Sequence, residues 1–125
     1  MQSKKHILII DDEPEVTELL KDFFEENNFT TETIADGNKA LDYFEHALPD
    51  IVITDLLLPG EHGVNVIKII KENYFVPVIA ITGIYKKDDL KNVIDDYSVE
   101  AFFEKPVNLE ALLEKVNSIL NARAL

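Results

Sequence analysis

The chain has 125 residues, 46% of them hydrophobic, which is enough apolar material for one packed domain over residues 1–125 and too much for a disordered chain. Its 24 acidic residues against 12 basic ones give a formal charge of -12, so long-range attraction to nucleic acid or anionic lipid is excluded. The absence of cysteine excludes disulfides, thiolate metal sites and a cysteine nucleophile.

Ile7-Leu8-Ile9-Ile10 is a short apolar run ended by acids. It reads as a strand buried on both faces, and it is far too short for a signal peptide or membrane span, so a cytoplasmic location is expected. Val16, Leu19, Leu20, Phe23 and Phe24 then recur at helical spacing, with Pro14 where a first helical turn tolerates proline. Phe29 to Ile34 alternates like a half-exposed strand, and Ala40, Leu41, Phe44 and Ala47 fit a helix after Gly37. Ile51-Val52-Ile53 is a second buried run. Val64, Ile67, Ile69 and Ile70 suit a helix entered after Gly60. Val78-Ile79-Ala80-Ile81 is a third run, followed by a helix carrying Leu90, Val93 and Ile94. Ala101-Phe102-Phe103 is a last short strand, and Asn108 is placed to cap a final helix with Leu109, Leu112, Leu113, Val116, Ile119 and Leu120.

Five strand-helix alternations with short connections predict an α/β fold: a flavodoxin-like, doubly wound, five-stranded parallel sheet of order 2-1-3-4-5, with five helices on two faces. Ligands of such sheets bind beyond the carboxyl ends of the strands. The residues that end the buried runs are therefore the candidates: Asp11, Asp12, Asp55, Thr82 and Lys105.

Asp11, Asp12 and Asp55 follow neighbouring strands in that order. Two carboxylates about 4 Å apart repel by roughly 4 kcal/mol at an effective dielectric near 20, which a cation or a proton must offset. Oxygen-only ligands with room for water suit Mg²⁺, and Lys105 adds a fixed positive charge. A carboxylate nucleophile, a metal site, a hydroxyl and an ammonium at one sheet edge are the parts that phosphoryl transfer uses.

Taken together, Ile9-Ile10-Asp11-Asp12-Glu13-Pro14, Pro49 to Asp55, Pro59 with Gly63, Ile81-Thr82, and Phe103-Glu104-Lys105-Pro106 resemble the receiver domains of two-component signalling along essentially the whole chain. Each motif is short; their order and spacing carry the specificity. The resemblance implies that Asp55 is phosphorylated in a Mg²⁺-dependent reaction, that Asp12 ligates the metal directly, that Asp11 acts through metal-bound water, and that Leu57 contributes its backbone carbonyl. It further implies that Thr82 and Lys105 bind the phosphoryl group, that Phe102 is an aromatic switch following Thr82, and that the surface of the fourth helix, fifth strand and fifth helix changes. The donor would be a sensor histidine kinase or a histidine phosphotransfer protein, and the output an unknown downstream protein. The resemblance is compatible with dimerisation through the last helices.

Departures from the family pattern bear on rates. Gly83 stands where alanine is commoner, and Leu57 and Ile84 stand where many relatives carry polar groups that orient the hydrolytic water, which predicts slow autodephosphorylation. His62 replaces the Asp or Asn usual before Gly63. Two rival readings are a phosphorylation-independent interaction module and a small Asp-nucleophile phosphatase of the haloacid-dehalogenase type. The phosphatase pattern wants an Asp two residues beyond the first-strand Asp, and Glu13 stands there. As a receiver, the chain would catalyse only its own phosphorylation and dephosphorylation.

Overall fold

Side chains alternate between the two faces of a strand, so a run that is apolar at every position needs cover on both sides. Ile7 to Ile10, Ile51 to Ile53 and Val78 to Ile81 are all completely buried, and they form the middle of the sheet. The computed structural model describes residues 3–60, 63–83, 95 and 98–123. The elements are β1 His6–Ile10, α1 Pro14–Glu26, β2 Thr30–Ile34, α2 Gly37–Phe44, β3 Ile51–Asp55, α3 Gly63–Asn73, β4 Val78–Thr82, β5 Ala101–Glu104 and α4 Leu109–Arg123. All strand pairs are parallel and the order is β2-β1-β3-β4-β5, the flavodoxin-like arrangement.

The two parities of the buried strands build two cores. Ile7, Ile9, Ile53 and Ile81 pack with Leu20 and Phe24 of α1 and Leu112 and Val116 of α4. Leu8, Ile10, Val52 and Ala80 pack with Ala40 and Phe44 of α2 and Val66, Ile67 and Ile70 of α3. Each fully buried large side chain contributes about 1.5–3 kcal/mol by leaving water, so these faces fix which way every strand residue points. Four helices lie among the described residues. The helix expected around Leu90, Val93 and Ile94 lies outside them, as do His62 and Ile84.

Some expectations differ in detail. Leu19 is 55% exposed, because it lies on the rim of an apolar cleft shared with Pro106, Val107 and Leu109. Ala47 lies beyond the end of α2 and is exposed. Entry of α3 at Gly63 makes Val66 a fully buried residue and leaves Ile69 only half-buried. The Asn108 side chain does cap α4, accepting the Ala111 N–H at 3.0 Å. Among the described residues no helix is long and apolar enough to cross a membrane.

Candidate functional site

The sheet delivers five side chains to its carboxyl end. Asp11 follows β1 directly, and its N–H donates to the Ile34 carbonyl at 3.0 Å, so the β1–β2 ladder holds its backbone one residue past the strand. Asp55 is the last residue of β3, and its Oδ1 accepts the Leu57 N–H at 3.0 Å. Lys105 follows β5, and its N–H donates to the Thr82 carbonyl at 3.0 Å. Gly63 makes room for this end of the sheet: a Cβ there would lie 2.4 Å from the Asp55 carbonyl oxygen and 2.6 Å from that of Leu56. Only a glycine lets α3 start against the end of β3.

Asp11 is 1% and Asp55 5% exposed, whereas Asp12 is exposed. Lys105 Nζ lies 2.8 Å from Asp55 Oδ2, 2.8 Å from Asp11 Oδ2 and 2.6 Å from Glu13 Oε1. The contact with Asp55 is a hydrogen bond. That with Asp11 is an ion pair lacking hydrogen-bond geometry, so Asp11 Oδ2 is buried without a hydrogen-bond partner. Asp11 Oδ1 accepts the Glu13 N–H at 2.9 Å, and the N-cap of α1 is Glu13, so neither Asp11 nor Asp12 is spent on capping that helix.

Burial pushes the Asp11 carboxyl above the usual carboxylate range, although Lys105 and the Glu13 N–H work against this. Burial alone would lower the Lys105 ammonium, but its contacts with Asp11, Asp55 and Glu13 outweigh that and raise it above the ordinary lysine value. The lysine therefore stays charged. Carboxylate oxygens of Asp11, Asp12 and Asp55 lie within 4.8 Å of one another, more negative charge than one ammonium offsets. An all-oxygen set containing one buried carboxylate oxygen with no hydrogen bond fits a small hard divalent cation.

Thr82 is 2% exposed and ends β4 beside this cluster. With Gly83, Phe102, Glu104 and Lys105 it lines a small polar cavity of about 110 Å³. Phe102 pairs with Ala80 across β4–β5 and is half-buried against the α2–α3 core. A Cβ at Gly83 would meet Lys105 Cβ at 3.5 Å, an ordinary contact, so the glycine leaves a methyl-sized gap beside the lysine stem.

Residues 7–117 match the response regulator receiver domain family. The chain belongs to that family. The DNA-binding response regulator MtrA of Mycolicibacterium smegmatis is 33% identical over 115 residues, covering 86% of this receiver and 48% of the relative. The transcriptional regulatory protein CpxR of Escherichia coli is 29% identical over 115 residues, covering 91% and 48%. The chain thus spans about half the length of the curated relatives it matches. A two-component response regulator from Clostridium difficile, 25% identical, superposes with a TM-score of 0.89 over 94% of this chain and 97% of its own. Receiver domains are signalling domains of response regulators, which take their input from histidine kinases, and they are generally Mg²⁺-dependent.

The receiver brings Asp11, Asp12, Asp55, Thr82 and Lys105 to one sheet edge, as the strand ends predict. Leu57 meets the cluster through its N–H, and the residue is 37% exposed. Ile84 lies outside the described residues. Glu13 is the residue that sequence reasoning missed as a site residue: it was visible as a third consecutive acid after β1, but its partner stands 92 positions away.

Proposed function

We propose that residues 1–125 form a single phosphoacceptor switch domain of a two-component phosphorelay. The observation that carries this reading is a pair of nearly buried carboxylates, Asp11 and Asp55, facing one ammonium with a carboxylate oxygen left without a hydrogen bond. Such an arrangement costs folding energy and is reasonable only if a cation and a phosphoryl group are meant to enter.

Asp55 is the nucleophile. One of its carboxylate oxygens bonds to the phosphorus of a phosphohistidine on a sensor histidine kinase or histidine phosphotransfer protein; the phosphorus–nitrogen bond breaks, and the imidazole departs neutral with its proton on the other ring nitrogen. Asp12 and Asp55, with Asp11 through water and the Leu57 carbonyl, would hold Mg²⁺, which supplies positive charge against the phosphoryl oxygens when bound. Lys105 pairs with a phosphoryl oxygen, and the Thr82 hydroxyl donates to another. Both gain a partner that exists only in the phosphorylated state.

Inward movement of Thr82 lets Phe102 turn toward the cavity between them, changing the face of β5 and its flanking helices for a downstream protein. A switch from mostly off to mostly on requires about 5.5 kcal/mol of preference, which two or three charge-assisted hydrogen bonds can supply. The open space beside Gly83, and apolar Leu57 and Ile84 where a water would need orienting, make the acyl phosphate long-lived. The domain acts on itself and on no further substrate, in the cytoplasm, without contacting nucleic acid or membrane directly.

Intact mass after incubation with acetyl phosphate and Mg²⁺ tests the reading. The expected result is the gain of one phosphoryl group that requires Mg²⁺, persists beyond seconds and is absent in Asp55→Asn. No gain from either acetyl phosphate or a phosphohistidine protein would leave an interaction module without the chemistry, and turnover of an aryl phosphate without accumulation would point to a phosphatase.

A further inference from the structure

Lys105 Nζ donates to Asp55 and Glu13 and lies 2.8 Å from Asp11 in an ion pair, so three carboxylates already crowd one ammonium. A phosphoryl oxygen arriving at Asp55 is a fourth anionic partner for that single charge, so one carboxylate has to loosen its hold. The side chains of Asp11 and Asp55 are 0% and 7% exposed, and that of Glu13 is 58% exposed. Releasing a buried carboxylate strands its charge away from water, whereas releasing Glu13 returns its charge to solvent at little cost. Glu13 is the partner the ammonium can let go.

Among the described residues, Lys105 is the one side-chain partner of the Glu13 carboxylate, which otherwise gains only the general preference for negative charge at a helix start. Glu13 is the N-cap of α1, but its side chain makes no capping hydrogen bond. Its backbone does that work alone: the carbonyl accepts the N–H groups of Val16 and Thr17 at 3.0 and 3.1 Å, and its own N–H donates to Asp11 Oδ1 at 2.9 Å. The backbone is thus pinned on both sides, and the side chain is aimed across to β5.

We infer that Glu13 is a positioning residue acting through Lys105: its carboxylate holds the ammonium donor that a phosphoryl oxygen takes over, and so sets how readily the acceptor site accepts an anion. This rests on the phosphoacceptor reading above. The residue works as a placeholder, keeping the ammonium turned toward the open side of the site while competing with the incoming group for it. Because Asp11 and Asp55 still hold Lys105 when Glu13 is neutral, competition outweighs support.

The test is a calorimetric titration with beryllofluoride, a phosphoryl mimic, in saturating Mg²⁺. Glu13→Gln is expected to tighten binding by about two- to fivefold, the size of a partly exposed ion pair. In a Lys105→Gln background the same substitution is expected to change nothing, since the group it acts through is gone. Should that background bind too weakly to titrate, Glu13→Asp decides: one methylene shorter, it is expected to follow Glu13→Gln, although it keeps the charge. Unchanged or weaker binding in Glu13→Gln, an equal change in both backgrounds, or Glu13→Asp behaving as wild type would overturn the inference while leaving the acceptor reading intact. Failure of the wild-type protein to bind beryllofluoride would overturn both.

Discussion

The two ends of the sheet differ in a way that cavity size would misjudge. At the amino end a broad groove of about 650 Å³ runs between Lys4, Lys5, Asn27, Asn28, Asn117 and Asn121, beside a second of about 450 Å³ rimmed by Leu48, Phe75 and Arg123. Several polar groups around these grooves have partners: the His6 N–H donates to Asp50 Oδ2 at 2.7 Å, Asn27 donates to the Phe23 carbonyl at 2.8 Å, and Arg123 donates to the Phe75 carbonyl. At the carboxyl end the polar cavity beside Thr82 is only about 110 Å³, but its surroundings hold buried Asp11, Asp55 and Thr82, a charged lysine and a carboxylate oxygen without a hydrogen bond. Clustered buried carboxylates that one ammonium does not fully offset, rather than volume, mark the end where chemistry is expected.

The largest effect expected from breaking this contrast is at the carboxyl end, where α3 starts in contact with the β3 backbone. Gly63→Ala places a methyl group 2.4 Å from the Asp55 carbonyl oxygen, an overlap with backbone that no rotamer relieves. Overpacking of this kind costs about 1–3 kcal/mol, and urea denaturation followed by circular dichroism should give a lower midpoint by that amount. An unchanged midpoint would mean that α3 shifts freely and that its contact does not hold the Asp55 segment in place.

Neutralising one carboxylate at each end should move stability in opposite directions. Asp11→Asn removes a buried charge that is only partly paired, so without divalent cations the variant is expected to be about 1 kcal/mol more stable than wild type. It should also lose most of the stabilisation that Mg²⁺ gives the wild-type protein, which binding to the folded state alone would produce. Asp50→Ala at the amino end deletes the acceptor of the His6 N–H and should cost about 1 kcal/mol with or without Mg²⁺. Thermal melts in chelator and in Mg²⁺ compare the two directly, and destabilisation by Asp11→Asn in chelator would refute the idea that the carboxyl end carries electrostatic strain.

The same contrast explains what the sequence could reveal. The strands were legible because runs such as Ile51-Val52-Ile53 are apolar at every position, which only two-sided burial explains. The site followed from them, since Asp11, Asp55, Thr82 and Lys105 each end or closely follow a strand. What could not be read was set by packing between distant segments. Asp11 and Asp12 are adjacent acids, yet one is buried and the other exposed, because only Asp11 continues the β1–β2 ladder. Leu19 fits a helical apolar stripe, but its outer side stays open beside the segment from Pro106 to Leu109. Contact of Glu13 with Lys105 depends on how β1 and β5 end in space, and no local pattern encodes it.

The smallest effect is expected at the most conspicuous apolar side chain. Phe75 is 94% exposed at the amino end, and its carbonyl accepts a hydrogen bond from Arg123. Its ring buries almost nothing on folding, so Phe75→Ser should change stability by no more than about 0.5 kcal/mol in denaturant titration. The backbone contact with Arg123 survives the substitution, and the acceptor cluster lies at the other end of the sheet, so acetyl phosphate labelling should be unaltered too. A loss of more than about 1 kcal/mol would mean that the ring packs over the groove around Leu48 and Leu120 in solution. The amino end would then hide strain of its own, and the contrast between the two ends would rest on charge at one and on apolar packing at the other.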